Sequence, residues 1–223
     1  MKSDWLALAA SYIFVFAAIG VGELLRQWRG YSTDFTRKFI HISVGMWSVG
    51  TVLLFQHWTF AVIPPLSFVV INYISYRQET FKAMETGERG NLGTVYFPIS
   101  FALATWWFWG KGEAWPALIV GSLMPMTWGA ALAAVLGKRF GQYRYRVLGT
   151  ERSLEGSLSM FLFSTLSTFL ALLLLSPLAV ISCALYALIV AVAATLVEAV
   201  TPWHLDNLTV PLVSALILSV LMG

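Results

Sequence analysis

Five short stretches of the chain hold residue types that can do chemistry together. "TRKFIH", 36–41, sets Arg37 and His41 four apart on one helical face, with Lys38 alongside. An arginine and a lysine at a membrane surface can hold phosphate, arginine through its planar fork; the same pair can serve as a topology signal with snorkelling side chains. "NLGTVYFPIS", 91–100, offers Asn91 as a cap and bares backbone N–H groups at Gly93 and Thr94, and helix starts attract anions. "GKRFG", 137–141, lets Gly137 end a helix in the left-handed conformation and Gly141 make a tight turn, with Lys138 and Arg139 facing the loop. "RSLEGS", 152–157, gathers Arg152, Glu155, Gly156 and Ser157. "EAVTPWHLDNLTVPL", 198–212, brings Glu198 to membrane depth, where an ionisable group is costly. It also sets Asp206 and Asn207 at a helix start, where either can simply cap. A nucleoside triphosphate with a divalent cation needs this mixture: cations and N–H groups for phosphate oxygens, carboxylates for the metal. Taken singly, each stretch also reads as an ordinary loop beside a capped helix.

The elements that must hold these residues are membrane helices. Of the 223 residues, 58% are hydrophobic and 11% charged, and the mean hydropathy is +0.75. Soluble domains carry about a quarter charged residues, and apolar runs of about 18 or more read as spans. Eight spans are expected, near 5–25, 36–55, 58–76, 93–110, 115–136, 156–175, 178–197 and 207–222. They form one all-α, polytopic membrane domain over 1–223. The first run has no small-residue cleavage site and is read as a retained helix. The loops after the second, fourth and sixth spans are short, and those after the first, third and fifth longer. Pro64 with Pro65, Pro98 and Pro125 interrupt spans, and broken helices in lipid are tolerated where they line a cavity.

Under this arrangement only Lys2 and Lys111 of the 14 basic residues fall on one face. The other twelve mark their face as cytoplasmic. Positive-inside sorting does not explain why Glu155, Glu198, Asp206 and Asn207 gather there too. The single Cys183 excludes a disulfide framework, and His57 and His204 show no zinc spacing. The ten Trp residues suit membrane-interface anchoring. No Walker-type phosphate loop is present, and nothing suggests a nucleic-acid partner. Membrane lipids surround the chain, and a homo-oligomer is left open.

In this order, the five stretches resemble the CTP-dependent polyprenol, phytol and dolichol kinases, a family that includes diacylglycerol kinases of the same type. The short chain is most similar to the phytol kinase branch. The resemblance implies transfer of the CTP γ-phosphoryl group to the hydroxyl of a lipid alcohol, with Mg2+. It implies phosphate binding by Arg37 and Lys38, and a glycine-basic turn at Lys138, Arg139 and Gly141. Arg152, which stands for a usual lysine, Glu155, Gly156 and Ser157 match its second loop. Glu198, Asp206 and Asn207 match its closing acidic motif, which holds metal or orients the hydroxyl; metal ligands are expected among Glu155, Glu198 and Asp206. His41, Gly93 and Thr94 complete the nucleotide side.

One position departs from the family pattern. Trp-Gly-Asp-Ala is expected, and the chain reads Trp128-Gly129-Ala130-Ala131. A methyl group neither coordinates a metal nor accepts a proton. An engineered inactive variant, a natural pseudoenzyme and a branch using another carboxylate all account for Ala130; the intact surrounding motifs favour the first. The competing activity is that of a CTP:phosphatidate cytidylyltransferase, which shares a glycine-acid motif but releases pyrophosphate. A lipid-binding pseudoenzyme or transporter is the non-enzymatic alternative.

Overall fold

The computed structural model describes residues 2–84, 91–202 and 204–223; Arg89, counted above among the basic-face cations, lies outside them. A helical rod stands in each segment expected to span. These are α1 (Lys2–Arg29), α2 (Thr33–Leu54), α3 (Trp58–Ala61) running into α4 (Ile63–Gln78), and α5 (Gly93–Phe108). A broken rod follows, α6 (Trp115–Met124), a π-helical segment (Pro125–Ala130) and α7 (Ala131–Phe140), and then α8 (Leu154–Leu175), α9 (Val180–Val200) and α10 (Asp206–Met222). Among the described residues, five rods are long and apolar enough to cross a membrane: those of α1, α3–α4, α6–α7, α8 and α9. The protein is an integral membrane protein. By the same measure α10 is a shorter apolar helix, and α5 has 16 residues.

Successive rods run in alternating directions. At one end, Asp4 accepts from the backbone N–H groups of Gln56 and His57 (2.8 and 3.2 Å), tying the start of α1 to the end of α2. At the other end, Glu23 near the end of α1 accepts from Ala83 N (2.7 Å), and Lys138 pairs with Asp34. The turn after α1 is tighter than expected. The helix runs on to Arg29, Gly30 stops it at φ +65°, and Ser32 Oγ caps α2 through Phe35 N. Only residues 30–32 remain as loop.

The bundle is all-α as expected, and two local features were not foreseen. The loop between α7 and α8 carries a short β-hairpin, β1 (Arg144–Val147) with β2 (Thr150–Ser153). Leu148 and Gly149 turn it, both at positive φ. Gly137 does not end α7: the helix continues to Phe140 and Gly141 caps it at φ −66°. Gly137 is instead a crossing point, where a Cβ would lie 3.0 Å from Ser153 Oγ and 3.2 Å from Gly156 Cα.

The α6–α7 rod is the axis of the bundle. Its apolar window is 78% buried, against 28–39% for the other four membrane-length rods. Pro125 lacks the N–H that a regular turn would use, and the helix widens there into its π segment. Glycines let neighbours press on the widened turn from two sides. A Cβ on Gly45 of α2 would run into Thr127, and one on Gly129 would meet Met160 O of α8 at 3.1 Å. Gly129→Ala should therefore overpack and destabilise by about 1–3 kcal/mol. Gly20→Ala, with nothing within 4 Å of its Cβ, should be neutral or slightly stabilising. Thermal unfolding of the two variants in one detergent checks the contrast.

Candidate functional site

A cavity of about 480 Å³ enters the bundle at the end where the hairpin sits. Four helices begin at its mouth. The first turns of α2 supply Arg37 and Lys38, α5 supplies Gly93 and Thr94, α8 supplies Gly156 and Ser157, and α10 supplies Asp206 and Asn207. The last turns of α7 and α9 add Lys138 and Glu198. Helix starts carry partial positive charge, so the mouth is electropositive beyond its lysines and arginines.

Close approach of these ends needs small residues and specific ties. A Cβ on Gly93 would lie 3.0 Å from Asn207 Nδ2, so the starts of α5 and α10 touch. Ser100 Oγ, two turns further along α5, donates to Asn207 O (2.8 Å) and fixes the same pair. Asn91 sits just ahead of α5 rather than at its cap, and its Oδ1 accepts from Gly93 N (3.3 Å). Asn207 Nδ2 donates to Asp206 Oδ1 (3.1 Å) and His204 O (3.2 Å).

Charge is distributed unevenly around the mouth. Arg152, on β2, sits between the two acids: its Nε lies 3.1 Å from Glu198 Oε1 and its Nη2 lies 3.7 Å from Asp206 Oδ2. The Nε is close to Glu198 without being aimed at it, and Nη2 donates to the Glu198 carbonyl (3.2 Å). Arg37 reaches Asp34 only at 3.9 Å, and its buried Nε has no partner. The Lys138 ammonium bonded to Asp34 holds that carboxyl below the usual carboxylate range. On the hairpin, the Arg144 guanidinium does the same to Glu151 across 2.7 Å; both residues edge the cavity.

Below the mouth the lining becomes apolar. His41 Nε2 donates to Met126 O in the π segment (2.9 Å), which fixes the proton on that nitrogen, and its ring packs on Phe97 at 4.7 Å. Ala130, 5% exposed, ends the π segment and faces the cavity with Ala133 and Ala134. Pro64, Pro65 and Pro98 line it too, whereas Pro125, the other span-breaking proline, does not.

Three expected residues are not in the lining. The Arg139 guanidinium lies over the Phe140 ring at 5.3 Å. Gly141 is a packing position, where a Cβ would lie 2.8 Å from Ser153 Cβ. Glu155 turns toward the loop, and its Oε1 accepts from Gln142 N (3.0 Å) and Tyr143 N (3.3 Å). It pins the hairpin instead of joining Glu198 and Asp206. No group of three or more His, Cys, Asp or Glu that could hold a metal occurs among the described residues. Glu198 and Asp206, which do line the cavity, share Arg152 as their cation.

Among curated proteins, the chain matches "Phytol kinase" of Synechocystis sp. at 33% identity over 218 residues, 96% of this chain and 90% of that one. This chain belongs to the polyprenol and phytol kinase family. No family model matches it, and no solved structure does. The lining also holds Asn72, Arg144, Glu151 and Met126, which the sequence did not single out as site residues. Asn72 was discoverable as a lone amide in an apolar run; its Nδ2 donates to Thr94 O (2.7 Å). The hairpin pair was hidden because Leu-Gly is not the Asn-Gly or Asp-Gly that announces a two-residue turn.

Proposed function

We propose that this protein transfers the γ-phosphoryl group of CTP to the hydroxyl of an isoprenoid alcohol, with phytol the best candidate. The observation that carries the reading is one cavity joining an electropositive mouth to an apolar shaft, the shape a triphosphate and a lipid alcohol need together. The kinship with a phytol kinase supports the acceptor class. Arg37, Lys38, Lys138 and the N–H groups at the starts of α5 and α8 hold the phosphates. His41, fixed on the π segment, lies where charged mouth gives way to apolar wall. Glu198 and Asp206 would hold Mg2+, which neutralises charge on the phosphate oxygens. The bond from the γ-phosphorus to its bridging oxygen breaks, a bond to the alcohol oxygen forms, and CDP leaves. The alcohol proton must pass to a nearby acceptor, and Ala130 cannot be that acceptor. Labelled CTP offered with phytol, geranylgeraniol, dolichol and diacylglycerol, with ATP as the alternative donor, tests the proposal. CDP and a phospholipid are the expected products; pyrophosphate and a CDP-lipid would overturn it.

Arg37→Ala and Lys38→Ala should each weaken CTP binding by roughly 1.5–3 kcal/mol, the value of a hydrogen bond to a charged group. Arg139→Ala should leave it unchanged, because that side chain lies outside the cavity. Equilibrium CTP binding to the three purified variants checks this, and equal losses in all three would count against the phosphate roles.

The hairpin end is proposed as the cytoplasmic face. With the buried Cys183 replaced, single cysteines at Lys111 and Arg144 should label from opposite sides of sealed vesicles. Labelling of both from one side would overturn the eight-span arrangement.

A further inference from the structure

The apolar shaft has a definite end. On α2 its lining runs through Lys38, His41, Val44, Trp47 and Thr51, one face of the helix. From Lys38 to Thr51 this helix advances about 20 Å, which suits an extended tail of about four isoprene units. The opposing wall runs the same way, from Gly93 and Thr94 at the mouth to Phe101 at depth on α5. Pro64 and Pro65, at the start of α4, complete the far end.

Trp47 is the largest side chain at that depth, and it is held on three sides. Its Nε1 donates to Ser11 Oγ of α1 (2.9 Å), and Ser11 in turn donates to Ala7 O (2.8 Å). Its indole stacks on Phe14 with centroids 4.5 Å apart and planes 20° from parallel. Gly50 lies against its ring, since a Cβ there would meet the indole at 3.0–3.1 Å. One turn deeper, at the last lining position on α2, Thr51, 3% exposed, donates back to Trp47 O (3.1 Å). A side chain so tethered cannot swing aside for a longer ligand at low cost, unlike the aliphatic lining above it.

Resting on the lipid-alcohol reading of this cavity, we propose that Trp47 and Thr51, the last two lining positions on α2, together close the shaft and set the length of isoprenoid tail the protein accepts. Shorter alcohols fit but leave the lower shaft unfilled. Longer ones must displace the indole from its stack and its hydrogen bond.

The test is competition against tritiated geranylgeraniol in detergent micelles, which needs binding but no turnover. Geraniol, farnesol, phytol and a longer polyprenol are the competitors, and CTP binding is measured in parallel. Trp47→Ala should shift preference toward the longer polyprenol by about tenfold or more, the scale on which apolar pockets discriminate tail length. Thr51→Trp should do the reverse, losing geranylgeraniol while keeping geraniol and farnesol. If Trp47→Ala does not purify as a folded protein, Trp47→Leu and Thr51→Trp carry the test. An unchanged order of preference in folded variants overturns the end wall and leaves the kinase reading intact. No saturable binding of any isoprenoid alcohol to the unaltered chain, with CTP still bound, overturns both.

Discussion

Replacing Ala130 by aspartate is expected to raise phosphoryl transfer by about a hundredfold or more, within the range a positioned acid or base contributes. The position is buried, faces the cavity, and closes the π segment whose Met126 carbonyl anchors His41. Its neighbours Gly129, Ala131 and Ala133 are small, so a carboxylate can enter without displacing bulk. There it would join Glu198 and Asp206 around the metal or receive the alcohol proton, the two tasks a methyl group cannot do. CTP affinity should change far less, because Arg37, Lys38, Lys138 and the four helix starts are untouched. Initial rates from labelled CTP with each of the four alcohols, on the two chains side by side, decide the matter. No gain with any alcohol, or fast turnover by the unaltered chain, would move the role to Glu198 or Asp206.

The second large effect is expected on stability. Arg152→Ala leaves Glu198 and Asp206, 8% and 12% exposed at their side chains, facing each other with their shared cation gone. Removing one partner of a buried ion pair costs about 3–5 kcal/mol, because the remaining charge stays desolvated. The hairpin should loosen with it, since Arg152 Nη2 on β2 also holds the Glu198 carbonyl at the end of α9. Adding Glu198→Gln to Arg152→Ala should restore part of the loss, as the uncompensated charge is then removed. Thermal unfolding of the single and double variants measures this. A double variant less stable than Arg152→Ala would show that Glu198 has other partners that matter more.

The sequence made the helices and the mouth of the cavity visible for different reasons. Apolar runs near membrane length leave few alternatives to helices, so every expected segment contains one. The charged stretches had to fall at rod ends, because the middles are apolar. Rod ends at one face are then near one another by topology alone, which brought Arg37, Lys138, Arg152 and Asp206 to one mouth. Side-chain direction was not legible in this way. Glu155 and Arg139 sit at the same face as their neighbours and point elsewhere, a choice made by the local hydrogen bonds of Gln142 and Tyr143 and by the Phe140 ring. Gly137 was read as a stop because glycine both ends helices and permits their contact, and only the position of α8 separates the two uses. The π segment had Pro125 as its one sequence mark, and a proline alone does not say whether a helix kinks, stops or widens.

The shaft enters from one face and stops about 20 Å down, short of the roughly 30 Å thickness of a bilayer core. On the proposed function, a tail lodged in it would enter from the side on which its hydroxyl meets the nucleotide, and the phosphorylated lipid would leave by that same side. A neutral alcohol can change sides spontaneously, but the phosphate it acquires makes the hydrocarbon a barrier, since charge is expensive at membrane depth. Phosphorylation here would act as a one-way latch on sidedness, collecting a freely exchanging alcohol into a pool confined to one surface of the membrane.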